Sequence, residues 1–344
     1  MATIKDVAKL AGVGVGTASR AISGRGAIAP ETLARVQAAA STLAFRPSAT
    51  ARALSLRSVG MLGVYVPVFT GTFYGPILAA IDAELRSVGR HMVATSGCGQ
   101  GDARRQALDG VAFLIERECD GIVMLSNALD DEDFTVLQQC IGPLAIINRN
   151  VPGLAEMCFS VDHAQAGRLA AQALLAQGHR SLAVISGPCN APDNRARIAG
   201  FEAELARHGL ALRTEHRLEG DFSFASGSEA AARLLAGAGR DYTALFCAND
   251  EMAIGAISRF AAAGLRVPQE VSVMGFDDSP VAAYGTPPLT TVHVPMHAVA
   301  VHGCRHLLNN CYGLDLPVQR EFPAQIIWRS SVAAGPHAPW AEDE

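Results

Sequence analysis

The hydrophobic positions of the first 45 residues predict three short helices. Thr3 and Asp6 can cap the start of the first helix reciprocally, and Gly12 supplies the turn that ends it. Pro30 suits the first position of the third helix. Three short helices with a tight glycine turn between the first two describe a helix-turn-helix unit. The apolar faces behind this prediction are Ile4, Val7, Ala8 and Ala11, then Ala18, Ala21 and Ile22, then Leu33, Val36, Ala40 and Leu43.

From Val59 onward, apolar runs rich in β-branched residues alternate with amphipathic helical stretches. The runs have the composition of buried parallel strands, and the alternation predicts an α/β fold with a parallel sheet in each half. The predicted strands are 61–66, 92–95, 121–125 and 144–147 in the first half, and 182–185, 245–248 and 271–275 in the second. The predicted helices are 73–88, 103–117, 164–177, 195–208, 225–235 and 251–263.

Charge adds to this picture because it is divided by segment. Residues 1–58 carry eight basic and two acidic residues, a net of +6, whereas the remaining 286 carry 20 basic and 31 acidic residues, a net of −11. Such asymmetry indicates nucleic acid or another anionic surface as the partner of the basic segment. Phosphates accept most protein–DNA hydrogen bonds. Basic and hydroxyl side chains suited to them cluster around the second helix, at Thr17, Ser19, Arg20 and Arg25.

Composition excludes several classes of protein. With 49% hydrophobic and 18% charged residues, the chain is globular and not disordered. The start lacks the apolar core of a signal peptide, and the longest apolar run, 59–69, is too short to cross a bilayer, so we expect a cytoplasmic protein. The eight cysteines contain no C-x-x-C pair and the ten histidines show no metal spacing. We therefore expect reduced thiols, no metal and no cofactor.

No motif indicates catalysis. The glycines of residues 12–16 do not follow a strand, and neither the dinucleotide fingerprint nor the P-loop lysine is present. The glycine-rich residues 97–101 also lack a Lys-Ser/Thr pair, and no nucleophile elbow or H-E-x-x-H motif appears. We expect that the protein is not an enzyme.

Several motifs together are specific to one family. They are the run Thr3-Ile4-Lys5-Asp6-Val7-Ala8-Lys9-Leu10-Ala11-Gly12-Val13, then Thr17-x-Ser19-Arg20, Pro30-Glu31-Thr32 and Phe45-Arg46-Pro47. With them the chain resembles the lactose-repressor/galactose-repressor (LacI/GalR) family over nearly its whole length, and the galactose-repressor branch most.

The resemblance implies a domain organisation. It gives a helix-turn-helix DNA-binding domain over residues 1–46 and a hinge helix with linker over 47–58. A two-lobed effector-binding and dimerisation domain, like the periplasmic binding proteins and with parallel sheets, follows over 59–333. Residues 334–344 have no leucine heptads, so we predict a disordered tail and no tetramerising coiled coil.

The resemblance also implies which residues contact DNA. Val15 and Gly16 fall where family members read bases, and they resemble the Val-Ala pair of galactose-repressor relatives. The alternative is that Val15 is a core residue. Gly14 replaces the usual Ser, and Ala18 the usual Val. Gly14 and Gly16 should each weaken this helix by up to about 1 kcal/mol where they lie in its interior. The predicted DNA-binding set is Thr3, Val15, Gly16, Thr17, Ser19, Arg20, Ser48, Ala51, Arg52 and Leu54.

The predicted hinge helix, 48–55, is too short to be stable alone in water. In the family, two such helices lie together in the minor groove and a leucine wedges between the central bases, which bends the duplex. Leu54 occupies that position, and Ser48 stands where the family more often has Asn. The alternative is a flexible linker with an incidental leucine.

Ligands of parallel α/β sheets bind at the carboxyl ends of the strands. A sugar site needs carboxylates and amides that share adjacent hydroxyls, an Arg, and an aromatic face. Motif positions of the family assign effector contacts to Arg197, Phe222, Asn249 and Asp277, and they place Phe73 and Tyr74 where the first lobe closes over the ligand. The set is completed by Arg149, Asp162, Asn190 and Asp193.

Structural alternatives stand beside these assignments. Arg197 and Asp277 would also suit a purely structural salt bridge, and Phe73 and Tyr74 a place in the core. Carboxylates are stabilised in the first turn of a helix. The interpretation of Asp250 and Asp278 is therefore helix N-caps or first-turn residues.

The sequence thus predicts a homodimeric repressor on palindromic operator DNA, with a sugar or sugar derivative as inducer. Two alternatives stay open. One is a regulator that depends on a purine-type corepressor. The other, from a different class, is a sugar-binding protein that does not bind DNA.

Overall fold

The computed structural model describes residues 2–24, 27–45, 58–97, 101–237 and 241–337. The chain divides into two compact units, Met1–Gly60 and Met61–Glu344. Of the predicted hinge and linker, 47–58, only Ser58 is described. The predicted DNA-binding residues Ser48, Ala51, Arg52 and Leu54 therefore lie outside the described residues.

The first unit contains three helices, α1 (Ile4–Ala11), α2 (Val15–Ser23) and α3 (Pro30–Thr42), which confirms the prediction. The Thr3 N–H donates to the Asp6 carboxylate at 2.8 Å, and the Asp6 N–H donates to the Thr3 hydroxyl at 3.4 Å, so the reciprocal cap is present. Gly12 ends α1 with φ 64°. Small side chains let the helices pack closely around a core of Val7, Ala8, Ala11, Ala18, Ala21, Val36 and Ala39.

The start of α2 has little stabilisation of its own. Gly14 is its N-cap, as expected, and has no side chain to accept from the first-turn N–H groups. Val15 is 45% exposed, so the alternative that it belongs to the core is wrong.

The first lobe of the second unit is built on a five-stranded parallel sheet of order β2-β1-β3-β4-β5. Short apolar runs form its central strands, which are buried as predicted. Its elements are β1 (Met61–Val66), α4 (Tyr74–Ser87), β2 (His91–Ser96), α5 (Ala103–Glu116), β3 (Ile122–Met124), α6 (Asp131–Cys140), β4 (Leu144–Ile147) and β5 (Cys158–Phe159).

The second lobe contains a six-stranded sheet of order β11-β10-β9-β8-β6-β7, in which only the terminal pair β10–β11 is antiparallel. Its strands are β6 (Leu182–Ser186), β7 (Arg217–Glu219), β8 (Ala244–Cys247), β9 (Ser272–Asp277), β10 (Thr290–His293) and β11 (Gln325–Ile327). Its helices are α7 (His163–Ala176), α8 (Pro192–Arg207), α9 (Phe224–Ala236) and α10 (Asp250–Ala262).

The lobes are not successive halves of the chain. After β10 the chain returns to the first lobe as α11 (Met296–Tyr312), which packs on α4 and β4. Arg305 pairs with Glu84 at 2.6 Å, and the Tyr312 hydroxyl donates to Asp120 at 2.7 Å. The chain then crosses back to form β11, so three segments connect the lobes. The sequence prediction assigned neither α11 nor these crossings.

Two helix pairs of the second lobe touch backbone to backbone. A Cβ atom at Gly167 would overlap the Arg197 carbonyl, and one at Gly200 would overlap the Ala164 carbonyl, so α7 and α8 meet at two glycines. The pair α9 and α10 meets in the same way at Gly227 and Gly255. Close approach of this kind fixes the helix that carries Arg197 against the helix that begins at His163.

The carboxyl-terminal segment stays on the second lobe beyond the predicted domain boundary at 333. The Gly335 N–H donates to the Gln177 carbonyl at 2.6 Å and the His337 N–H to the Gly178 carbonyl at 3.2 Å. Residues 338–344, the rest of the predicted tail, lie outside the described residues. Among the helices that the structure describes, none has the length and apolar character needed to cross a membrane.

Gly200→Ala should lower the free energy of unfolding by about 1–3 kcal/mol, because the added methyl group must push α7 and α8 apart. Urea unfolding of the full chain measures the change.

Gly75→Ala is the matched control. Gly75 lies in α4 with open space around the position of a Cβ atom, so the gain in helix propensity should leave stability unchanged or raise it by up to about 1 kcal/mol. Equal losses in the two variants would contradict the close-contact explanation.

Candidate functional site

A cleft of about 500 Å³ lies between the two lobes. Most of its wall comes from segments that directly follow a strand: residues 67–74 after β1, 126–128 after β3, 221–223 after β7 and 249–251 after β8. The carboxyl ends of both sheets therefore face this cleft, which is where parallel α/β sheets bind ligands.

Most of the sequence-predicted effector residues meet in this cleft. Phe73, Tyr74, Asn190, Arg197, Phe222, Asn249 and Asp277 line it, and so does Asp193.

Arg149 is not brought to this cleft. Its guanidinium pairs with Asp131 at 2.6 Å, donates to the Leu129 carbonyl, and lies 5.0 Å from the centre of the Phe134 ring. The long side chain thus turns back toward the first turn of α6 in its own lobe. Arg149 and Asp162 line a neighbouring cavity of about 790 Å³ instead.

Arg197 is the buried centre of the site, with 3% of its surface exposed. Its guanidinium lies 3.6 Å from the centre of the Phe276 ring and donates to the Ala248 carbonyl. Loss of water lowers the pKa of Arg197, and the carboxylates of Asp193 and Asp277 act in the opposite direction.

The ion-pair partner of Arg197 is Asp193, at 3.6 Å. Arg197 thus takes part in a buried salt bridge, as the structural alternative expected, whereas the described ion pairs do not include Asp277. Asp193 sits in the first turn of α8 and is itself buried.

Asp193 also joins the lobes. Its two carboxylate oxygens accept from the Asn127 amide at 3.0 Å and the Asn148 amide at 3.3 Å, both of which belong to the first lobe. We call these three residues the Asp193 bridge. Asn127 and Asn148 follow the predicted strands 121–125 and 144–147. Applying the strand-end rule to the first half would therefore have found them.

His163 holds the bridge in place and is neutral. Arg197 donates to its Nδ1 at 3.4 Å, so its Nε2–H donates to the Asn148 side-chain oxygen at 2.9 Å. Burial, together with the nearby Arg197 charge, lowers the pKa of His163 to about 4. Its proton is thus fixed on the nitrogen that orients Asn148.

A second contact crosses the mouth of the cleft. One Glu251 carboxylate oxygen accepts from the Thr72 N–H at 2.7 Å and from the Thr72 hydroxyl at 2.8 Å. We call this pair the Glu251 latch. Glu251 is the second residue of α10, whereas Thr72 lies in the first-lobe segment before α4. Sequence reasoning missed both residues, because hydrogen bonds across facing lobes leave no periodic pattern.

Three lining residues that are not glycine have left-handed backbone conformations: Asn148 with φ 63°, Phe222 with φ 72° and Asp277 with φ 109°. Such conformations cost about 1–3 kcal/mol each and gather at functional sites. Loss of water raises the pKa of the Asp277 carboxyl, Asp250 adds to this effect, and Arg197 opposes it. The fold therefore holds Asp277 in the wall of the cleft with a left-handed backbone and with its carboxylate charge disfavoured by burial.

The aromatic residues line the cleft from both lobes. The Phe222 ring lies where a Cβ atom of Gly187 would be, and the Asn249 amide donates to the Phe222 carbonyl at 2.8 Å. Phe73 and Tyr74 contact each other edge to face with ring centres 5.1 Å apart. Both also pack against a hydrophobic core cluster, so these two residues belong to the core and to the wall of the cleft at once.

The two aspartates predicted as helix-start residues differ. Asp250 begins α10 as predicted, and accepts from the Ser279 N–H at 2.7 Å and the Thr291 hydroxyl at 2.6 Å. Burial raises the pKa of Asp250 to about 6. For Asp278 the prediction is wrong. It pairs with Arg329 at 2.6 Å and His293 at 3.0 Å, because the chain turns into a 3₁₀ helix capped at Ser279.

The DNA-binding set within α1 and α2 lies at the surface. The Arg20 Nε donates to the Gly16 carbonyl at 3.3 Å, which lays this side chain along the first turn of α2. The methyl groups of Val15, the exposed backbone of Gly16 and the guanidinium of Arg20 are suited to contact base edges in a major groove. Thr3, Val15, Gly16, Ser19 and Arg20 are exposed and Thr17 is half-buried.

The described ranges contain no group of three or more His, Cys, Asp or Glu side chains able to hold a metal ion.

Comparisons with known proteins match both units. Residues 3–48 match the family described as bacterial regulatory proteins, lacI family, and residues 171–332 match the periplasmic binding protein-like domain. The transcriptional regulator GalS of Salmonella typhimurium is 31% identical over 334 residues, which are 97% of each chain.

Solved structures give the same result. The lac repressor dimer bound to operator and the anti-inducer ONPF has a TM-score of 0.86 and 26% identity, covering 97% of this chain and 99% of that chain. The complex of the transcriptional regulator CelR with cellobiose has a TM-score of 0.69 and 30% identity, covering 96% and 100%.

Glu251→Ala should expose the mouth of the cleft, because the Thr72 N–H loses its acceptor. We expect hydrogen exchange at Thr72 to accelerate by about tenfold, the equivalent of one ordinary hydrogen bond. Exchange mass spectrometry of a peptide that contains Thr72 measures this rate.

Glu251→Gln keeps an acceptor oxygen and is the matched control, with an exchange rate closer to that of the parent chain. An unchanged Thr72 rate in Glu251→Ala would show that the latch does not hold this segment.

Proposed function

Because the chain belongs to the LacI family of bacterial regulatory proteins, we propose that it represses transcription and that a sugar or sugar derivative, bound in the cleft, controls its affinity for operator DNA. The observation that carries this proposal is the joining of an exposed helix-turn-helix surface to a strand-end ligand cleft in one chain. A sugar-binding protein that serves transport would need the cleft but not the basic helix-turn-helix domain.

The DNA partner is a pseudo-palindromic operator held by a homodimer. Two-fold symmetry of a dimer places two recognition helices on two half-sites, so the operator mirrors the protein. The similar lac repressor dimer, bound to its operator, supports this arrangement. Such a partner puts the site of action in the cytoplasm.

The effector is assigned to sugars because of the groups that face the cleft. Asp193, Asp277 and Asn249 offer carboxylate and amide groups to adjacent hydroxyls, and Phe222 offers an aromatic face to the C–H side of a ring. The similar regulator CelR is bound to cellobiose. A purine corepressor is the second candidate, and it would use the same aromatic face for stacking.

Control follows from the two contacts that cross the cleft. An effector that binds beside the Asp193 bridge and the Glu251 latch favours the lobe arrangement in which it makes more contacts. Moving a population from 1:99 to 99:1 takes about 5.5 kcal/mol of differential binding, which two sites in a dimer would share. We propose that the change in lobe arrangement reaches the helix-turn-helix domain through residues 47–58, where Leu54 would insert between the central bases of the operator.

Arg20→Ala should relax operator discrimination. A good side-chain contact to a base edge provides about 1–3 kcal/mol of discrimination, so the ratio of specific to non-specific affinity should fall by about tenfold. Gel shift with an operator and a scrambled duplex measures this ratio. Arg35→Ala, on the exposed surface of α3 and outside the predicted contacts, should leave the ratio unchanged. An equal loss of affinity for both duplexes would show that Arg20 does not read bases.

Asp277→Asn should abolish the effector response and leave operator affinity without effector intact. The amide cannot supply the second acceptor that a pair of hydroxyls needs. Loss of water already disfavours the Asp277 charge, so the neutral side chain should not lower stability. Release from operator is titrated with the sugar that gives the largest thermal shift. Asp315→Asn, at an exposed position, is the control. An unchanged dose response would refute the assignment of Asp277.

A further inference from the structure

The charges that line the cleft are strongly unequal. Among the described lining residues, four are acidic, Asp193, Asp221, Glu251 and Asp277, and one is basic, Arg197. The carboxylates come from four different segments of the second lobe, so the acidic wall of the cleft belongs to that lobe.

The single cation is already used by the protein. One amino group of Arg197 donates to the Ala248 carbonyl, and the other lies between His163 at 3.4 Å and Asp193 at 3.6 Å. The face of the guanidinium covers the Phe276 ring, and its Nε, which has no hydrogen-bond partner in the described structure, has no exposed surface. A phosphate or carboxylate on a ligand would therefore find no accessible cationic fork.

The acidic groups keep acceptor capacity toward the ligand. The latch uses one oxygen of Glu251 for both of its hydrogen bonds. Hydrogen bonds from Ser223 and Ser226 lower the pKa of the Asp221 carboxyl although burial opposes them, so this group is charged at neutral pH. A carboxylate accepts only, which suits hydroxyl and ammonium donors and repels a second anion.

We infer that the cleft takes an effector without an anionic group, which under the proposed function means an unmodified sugar or an amino sugar. Phosphorylated sugars and sugar acids are excluded by the carboxylates of Asp221 and Glu251, because the charge of Asp193 is already paired with Arg197. This inference rests on the proposed function in placing the effector in the cleft, but it concerns the charge of the ligand and not its ring chemistry.

The test exposes the full chain to an equimolar mixture of neutral hexoses and disaccharides, hexosamines, hexose phosphates, hexuronic and aldonic acids, and purine bases. Native mass spectrometry identifies the ligand that is retained, and calorimetry then compares it with its neutral or anionic counterpart. We expect a neutral or cationic sugar, with the phosphorylated or oxidised counterpart at least about tenfold weaker. An anionic sugar that binds as tightly as its neutral parent would overturn the inference.

The mixture separates this inference from the proposed function. Retention of a phosphosugar or sugar acid would agree with the proposed function, a sugar-controlled regulator, but would overturn the inference that the cleft rejects anionic ligands. Retention of a purine base would agree with the inference that the cleft rejects anionic ligands, but would overturn the proposal that the effector is a sugar. No retained ligand at millimolar concentration would count against both.

Variants that remove one negative charge test whether the carboxylates cause the weaker binding of anionic sugars. Glu251→Gln and Asp221→Asn each take one negative charge from the wall and keep the shape of the side chain. Each should narrow the affinity gap between the neutral sugar and its anionic counterpart by about fivefold, the effect of one partly screened charge. Asp315→Asn removes a charge outside the cleft and should leave the gap unchanged. A gap that stays constant in all three variants would show that shape, and not charge, rejects the anion.

Discussion

The Asp193 carboxylate binds two amides of the first lobe and pairs with Arg197 of the second. Each of these contacts requires the others, since a buried charge is tolerated only when it is paired and hydrogen-bonded. Removing Asp193 would leave Arg197 with its charge uncompensated and the Asn127 and Asn148 amides without an acceptor. The arrangement of the lobes and the shape of the ligand cleft thus depend on the same side chain.

Helix packing sets the geometry of that group. Gly167 and Gly200 let α7 and α8 approach until their backbones touch. This contact brings His163, at the start of α7, beside Arg197 on the second turn of α8. Neutral His163 then fixes the orientation of Asn148, which reaches Asp193 from the other lobe. A packing feature without any polar side chain therefore decides where the polar network forms.

Prediction from sequence succeeded where the signal was local. Capping at Thr3, the helix start at Pro30 and the longer buried strands all follow from residues near one another in the chain. The strand-end rule brought Asp277 to the site for the same reason. The inclusion of Arg149 in the predicted set did not allow for the length of its side chain, which turns back toward its own lobe.

The remaining errors are of another kind. Strands β5, β7 and β11 have two or three residues each, too few for any period to show. The prediction also lacked strand β10 and helix α6. The place of α11 in the first lobe, and the reach of Glu251 to Thr72, depend on contacts between residues more than 170 positions apart. Such contacts are consequences of topology, and local pattern does not contain them.

The crossing of the chain between lobes also has a consequence for synthesis. Gly303 of α11 lies against Ile147 and Phe159, so the core of the first lobe is complete only when that helix is present. During translation, five strands of the second sheet leave the ribosome before α11 does. Domains that are continuous in sequence fold from the amino terminus as they emerge. Here the first lobe cannot complete its core before most of the second sheet has left the ribosome, so the two lobes are not separate units of folding.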